Sequence, residues 1–226
     1  MEFPRLSRLA RALHPRRLQE KGQAELSYWR ARKAAEDDAL RTHPEWPRIY
    51  TLHFGLDASF YEGKRVLDVG CGPRGTLEWM TQAAERVGLD PLVGAYRELG
   101  IDAHAMSYVE AGAEDIPFEA EHFDVITCFN ALDHVDELQL AISELTRVAR
   151  QGATLLLITE VNHQPTPTEP QAFGWEVLDR FSGWQALSEK RNEMGSDIYG
   201  SLIADIPYGD GPGLLSARLV RGKGSL

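Results

Sequence analysis

The sequence predicts an α/β domain, a mostly parallel sheet sandwiched between two layers of helix, preceded by helices of its own. Three observations carry this. From Gly63 onward, five short β-rich runs alternate with helix-patterned segments, which is the pattern of a parallel sheet covered on both faces. The last two apolar runs, "WQALSEKRNEM" and "LLSARLVRG", are joined by a Gly/Pro/Asp-rich stretch with no helix between them, so they should pair antiparallel and close the sheet at one end. Ahead of the alternation, Pro44 and Pro47 end a helical region and set a boundary, giving an arm over residues 1–47 and a main domain over 48–226.

Each element follows from its local pattern. Leu6, Leu9, Ala10 and Leu13 recur at helical spacing, and Leu26, Trp29, Ala35 and Leu40 suggest a second helix. "RVLDV" is the first strand, followed by a helix from Thr76 to about Ala84. "RVGLD" is the second strand, with a short helix near Leu92 to Leu99, and "AMSYVE" is the third. "FDVITCF" is the fourth, and the helix after it, Val135 to Ala149, has the firmest support because Leu138, Ile142, Leu145 and Val148 recur at three and four residues. "ATLLLITE" is the fifth strand, and "FGWEVLDRFSG" reads as helix.

Composition excludes several classes. With 226 residues, 43% of them hydrophobic, the chain can bury one sizeable core. Residues 1–33 carry nine Lys/Arg against three Asp/Glu and the remainder fifteen against thirty-one, so a basic arm precedes an acidic body that should repel nucleic acid. The arm packs on its own domain with a solvated basic face, or it touches an anionic surface. The apolar run "LLLI" is too short to span a bilayer, and Met1 to Leu13 is too charged for a secretory signal, which makes a cytoplasmic location the default. Cys71 and Cys128 have no metal-ligand spacing and read as reduced structural thiols.

The chemistry starts at "RVLDVGCGPRG", where Gly70, Gly72 and Gly75 follow a strand within six positions. Such a turn lets backbone amides approach a nucleotide-type ligand closely, although the spacing alone also fits a dinucleotide fold or a plain tight turn. Asp68 at the strand end argues against a phosphate there, because a carboxylate would repel it. Asp90, twenty-two residues on and at the end of the second strand, can accept both hydroxyls of a ribose.

With "VLDVGCG", "GLD", "AEDIPF", "FDVITCFNALDHV" and "RVARQGATLLLIT" in this order, residues 60 to 160 resemble a small class I S-adenosylmethionine-dependent methyltransferase. The resemblance implies a seven-stranded sheet with the last strand inserted antiparallel, and S-adenosylmethionine lying across the carboxyl ends of the strands. It implies that Gly70, Cys71 and Gly72 form the turn under the methionine part, that Asp68 organises its amino end, and that Asp90 holds the ribose. Asn130 resembles the position whose backbone carbonyl meets the cofactor's ammonium. Where such enzymes often have an aspartate before "AEDIPF", this chain has Gly112, so Glu114 or Asp115 takes over the adenine amine, or both are a solvated turn, with amides around Ala113 holding the ring.

Methyl transfer to a hydroxyl needs positioning and relief of a proton. His134, with Asp133 beside it, follows the fourth strand and is expected to be the base, without a metal; Asp133 can equally cap the next helix. Glu160, Asn162, His163 and Glu169 follow the fifth strand, where doubly wound sheets bind their ligands, and would line a polar pocket for a small polar acceptor such as a sugar or glycan precursor. His53, Tyr28, Trp29 and Tyr50 fall in the region that covers the cofactor in this fold. Other readings keep the glycine loop: a non-catalytic cofactor-binding or scaffold protein, a relative that puts the sulfonium to other chemistry, and a nicotinamide oxidoreductase, which would want neither Asp68 nor so short a chain.

Overall fold

Near-continuous burial along the central strands, whose side chains face two layers in turn, builds the three layers of the protein. The fold is taken from a computed structural model, which describes residues 15–36, 40, 43–195 and 198–222. Strands β1 (Arg65–Val69), β2 (Glu85–Asp90), β3 (Ser107–Glu110), β4 (Phe123–Phe129), β5 (Ala149–Val161), β6 (Trp184–Glu193) and β7 (Gly213–Arg221) form one sheet in the order β3-β2-β1-β4-β5-β7-β6. The first five are parallel, while β7 runs antiparallel between β5 and β6. The expected antiparallel closure is therefore present.

Successive residues of a strand face opposite layers. Leu155 and Leu157 of β5 join Leu67, Ile126 and Ala217 in one core, under the helix Leu138–Val148. Leu156 and Ile158 join Val66 and Val125 in the other, under Trp46, Ile49, Tyr50 and Leu77.

Helices α1 (Pro15–Ala35) and α2 (Trp46–Tyr50) precede β1. Helix α1 ends short of Leu40, which still packs with Leu26 and Trp29 against the small core at Val93 and Tyr96. Helix α2 straddles the expected boundary at residue 47 and buries Trp46, Ile49 and Tyr50, so the packed domain begins before it. The helical pattern at Leu6 to Leu13 lies outside the described residues. Helix α3 (Val93–Tyr96) continues as a 3-10 turn to Leu99, as expected.

Three expectations about helices are corrected. No α-helix follows β1: the segment from Gly75 to Ala83 closes tight turns instead, Glu78 N–H to Gly75, Met80 to Leu77, Thr81 to Trp79 and Ala83 to Met80. Its far end is tied to the strand entrance by Gly63 N–H to Gln82 and Ala84 N–H to Lys64, which leaves too little chain for a crossover helix. "FGWEVLDRFSG" contains only a 3-10 helix at Trp175–Arg180. Conversely, a two-turn helix, α5 (Ile198–Ala204), does sit between β6 and β7, burying Leu202.

Helix α4 (Leu138–Val148) buries Leu138, Ile142, Leu145 and Val148 as the spacing requires, but it starts three residues late. The reason is tertiary. The carbonyls of Asp133, Val135 and Asp136 are taken by the Gln171 backbone and side chain, and that of His134 by Lys21, so they are withdrawn from helix formation. That irregular stretch, residues 130–137, becomes one wall of the site.

Candidate functional site

A cleft of about 1650 Å³ opens at the carboxyl ends of β1, β2 and β4, with α1 lying across it. Single-ligand pockets run to roughly 1,000 Å³, so there is room for a nucleoside cofactor and a second molecule.

The glycine turn forms its floor. Gly70 has φ +71, and a Cβ there would collide with the Ala131 side chain, so only glycine lets the β1 and β4 ends approach this closely. Gly72 has φ +57, with the Trp29 ring 3.2 Å from where its Cβ would stand, and its N–H donates to Asp90 Oδ2 at 3.2 Å. Asp90 also accepts from Leu92 N–H at 2.9 Å. Burial pushes its carboxyl up to about 6 despite those two amides. A carboxylate has capacity for about four hydrogen bonds, so two acceptor positions remain for hydroxyls entering the cleft.

Asp68 is buried between strands and accepts three hydroxyls: Tyr50 at 3.1 Å, and Thr127 and Thr76 more closely. Burial raises it to about 6, with the three hydroxyls pulling the other way. Cys71 lines the cleft with its thiol pushed well up by burial, and Cys128 lies in the sheet core; neither is in a disulfide, and both read as structural.

Asn130 leaves β4 in a left-handed conformation, φ +50, and its buried Oδ1 has no protein partner. Ala113 and Glu114 line the cleft beyond Asp90, with Glu114 accepting Asp136 N–H at 2.8 Å at the approach to α4. Asp115 is exposed and outside the cleft lining, so of the two candidates for adenine only Glu114 faces the cleft.

His134 faces the cleft from the loop after β4. Its Nδ1 lies 3.3 Å from Glu25 Oε1 on α1 and its Nε2 3.8 Å from Glu169 Oε1. Burial lowers its pKa, but the Glu25 hydrogen bond together with the charges of Asp133 and Glu169 outweighs that, and the net direction is upward. Asp133 is fully buried behind it with neither oxygen hydrogen-bonded by protein; burial raises its pKa. Asp133, His134 and Glu169 bring donor atoms to within 4.8 Å of one another, a spacing at which such groups can also share a cation.

Several expected residues stand elsewhere. Glu160, Asn162 and His163 are absent from the cleft lining; the loop after β5 turns so that Thr168 and Glu169 reach it instead. His163 Nδ1 is satisfied 2.9 Å from the Gln164 carbonyl, while its Nε2 sits 4.0 Å from Asp133. Tyr28, Trp29 and Tyr50 line the cleft, but His53 pairs with Ser216 on β7 and, with burial as the main cause, has a pKa lowered to about 4. Lys21 and Glu25 are site residues that the motifs do not mark. Their signal is that Lys21, Glu25 and Trp29 recur every four residues, marking one face of α1.

These residues offer S-adenosylmethionine a glycine floor, a buried ribose acceptor at Asp90 and an orphaned amide oxygen at Asn130. They fit it. Residues 67–157 match the methyltransferase domain family. Over that stretch the chain is similar to the class I S-adenosylmethionine-dependent methyltransferases. It is 30% identical over 168 residues to a malonyl-(acyl-carrier protein) O-methyltransferase of Enterobacter lignolyticus, covering 71% of this chain and 64% of that protein. It is 40% identical over 121 residues to a ubiquinone biosynthesis O-methyltransferase of Hahella chejuensis, 50% of each. The chain thus spans between half and two thirds of these curated relatives. The solved YcgJ protein of Bacillus subtilis shares the fold, with a TM-score of 0.58 at 16% identity over 80% of this chain and all of that one. Among its described residues the chain has no helix long and apolar enough to cross a membrane.

Proposed function

We propose that this methyltransferase methylates a hydroxyl of a small polar acceptor, with His134 as the base. The observation that carries this is His134 in the wall of a cleft too large for a cofactor alone, with its Nε2 buried and unpartnered just behind that wall. S-Adenosylmethionine, when bound, supplies an activated methyl group on a sulfonium. The remaining work falls to the protein. Asp90 would hold the ribose hydroxyls, the Asn130 backbone and Asp68 the amino acid end, and Glu114 with the Ala113 backbone the adenine. Asp133, buried behind His134, would stabilise the imidazolium once the acceptor's proton has moved to Nε2.

The expectation of a sugar or glycan acceptor rests on Glu160, Asn162, His163 and Glu169 with Asp133 and His134, and of these only His134 and Glu169 line the cleft. What faces the acceptor space is an aromatic wall: Trp46, Tyr50, Phe129 and Tyr199 line the cleft beside Asp68. Trp46, Tyr50 and Phe129 are packed on one another and show the cleft only narrow edges, an apolar border suited to the rim of a small hydroxylated ring, sugar or phenol. The relatives' names, both of them O-methyltransferases, support transfer to oxygen and leave the acceptor to experiment.

The test is incorporation of labelled methyl from S-adenosylmethionine into aqueous and organic fractions of a metabolite extract, followed by identification of the product. His134→Gln should keep cofactor affinity and lose roughly 10²- to 10⁴-fold in turnover. Full activity in that variant returns His134 to a structural role. Activity abolished by a chelator and restored by magnesium would give the proton's release to a cation at Asp133, His134 and Glu169.

A further inference from the structure

We propose that Glu25 of helix α1 is the positioning residue of the His134 base, so that the base is assembled only while α1 lies across the cleft. The inference rests on the reading of His134 as base and adds a residue well outside the matched family region, residues 67–157.

The geometry gives the two ring nitrogens different tasks. Glu25 Oε1 stands 3.3 Å from Nδ1, and a carboxylate cannot donate, so in neutral His134 the proton sits on Nδ1. Nε2 then carries the lone pair. It is buried without a hydrogen-bond partner, and at 3.8 Å the Glu169 oxygen is beyond hydrogen-bond range. A base whose far nitrogen meets a carboxylate and whose near nitrogen is left unpartnered has the base-and-orienter arrangement of acid–base catalysis, with Nε2 reached by an acceptor once the side chains covering it move aside. A proton leaving the acceptor hydroxyl has Nε2 to go to, its electron pair staying on oxygen.

The helix grips this residue twice. Lys21, one turn before Glu25, donates from Nζ to the His134 carbonyl and lies 3.6 Å from Asp136. Side chain and backbone of His134 are thus fixed by consecutive turns of one helix, which is otherwise moored by Arg74 to Glu36 and by Arg30 to Glu98 at 2.6 Å. The His134 and Glu25 side chains are 21% and 27% exposed, so the pair is partly shielded and not a fully solvated ion pair of negligible worth.

Other charges act on the imidazole: Asp133 on its own loop, Asp90 at the end of β2, and Glu160 and Glu169 from β5 and the loop beyond, while Lys21 on α1 stands at the His134 carbonyl with Asp136 beside it and His163 stands beside Asp133. The carboxylates all favour the imidazolium. Glu25 differs in contacting the nitrogen that fixes the tautomer.

The experiment is ¹⁵N nuclear magnetic resonance of the full chain with labelled histidine, from about pH 5 to 9 to span the histidine range, with and without saturating S-adenosylhomocysteine, using His134→Gln to assign the signal. The parent should show Nδ1-protonated His134 titrating above an ordinary histidine. Glu25→Gln should lower that midpoint and mix the tautomers, Glu25→Asp should restore both in part, and methyl incorporation by Glu25→Gln should fall about tenfold or more. An unchanged tautomer and midpoint in a Glu25→Gln protein that still binds S-adenosylhomocysteine would overturn the proposal. Failure of the parent to bind S-adenosylhomocysteine would strike the cofactor reading instead, while the ligand-free titration would still decide the role of Glu25.

Discussion

Replacing Asp90 by alanine tests the cofactor site where it is most constrained. In the structure the carboxylate accepts Leu92 N–H and Gly72 N–H, leaving two acceptor positions for ribose hydroxyls. Losing two hydrogen bonds to a charged group removes about 3 to 6 kcal/mol of binding. Water admitted to the space the carboxylate vacates returns part of this, because it can take up the ribose hydroxyls in its place. A second loss is local: Gly72 N–H loses its acceptor, and the turn under the cofactor loosens. Affinity for S-adenosylmethionine should therefore fall by about tenfold at the least and by roughly 10²- to 10⁴-fold if little water enters, each tenfold being about 1.4 kcal/mol. Isothermal titration calorimetry reads this directly, with circular dichroism confirming the fold. Unchanged affinity, or tight NAD binding by the parent, would refute the reasoning.

The remaining predictions concern the turn, the pH response and the arm. Gly70→Ala adds a methyl at φ +71 against the Ala131 side chain, so cofactor affinity and thermal stability should both drop; a variant as stable as the parent would show that the β1 and β4 ends separate easily. Asp68 and Asp90 have folded pKa values of about 6, above those of an unfolded aspartate, so the stability they provide is full below about pH 4 and is lost as the pH rises through about 6. Urea unfolding of the ligand-free parent should accordingly lose stability relative to Asp90→Asn across that window, and parallel profiles would contradict the burial argument. Removing residues 1–36 should weaken cofactor binding and leave the sheet folded, because α1 covers the cleft while both sheet cores lie in later residues. Normal cofactor binding with loss of binding to anionic vesicles would make the arm an interaction element.

The strands, their succession along the chain and the cofactor floor are legible in the sequence because they depend on short-range rules. A near-continuous apolar run, buried on both faces, marks "FDVITCF" as β4 residue for residue, and Gly70, Gly72 and Asp90 sit at fixed offsets from strand ends. Features that depend on competition for backbone groups, or on distant chain, enter only with the folded molecule. Gln171 and Lys21 take the carbonyls that would have started α4 at Val135, and the turns after β1 replace a helix because Gly63 and Lys64 bind their far end. The same holds for the base. His134 is legible beside β4, but Glu25 stands 109 residues earlier in the sequence and meets it because α1 folds back across the cleft. Proximity to β5 alone points to Glu160, Asn162, His163 and Glu169 alike, yet the turn of the loop that brings only Glu169 of these four to the cleft follows from contacts no local pattern encodes.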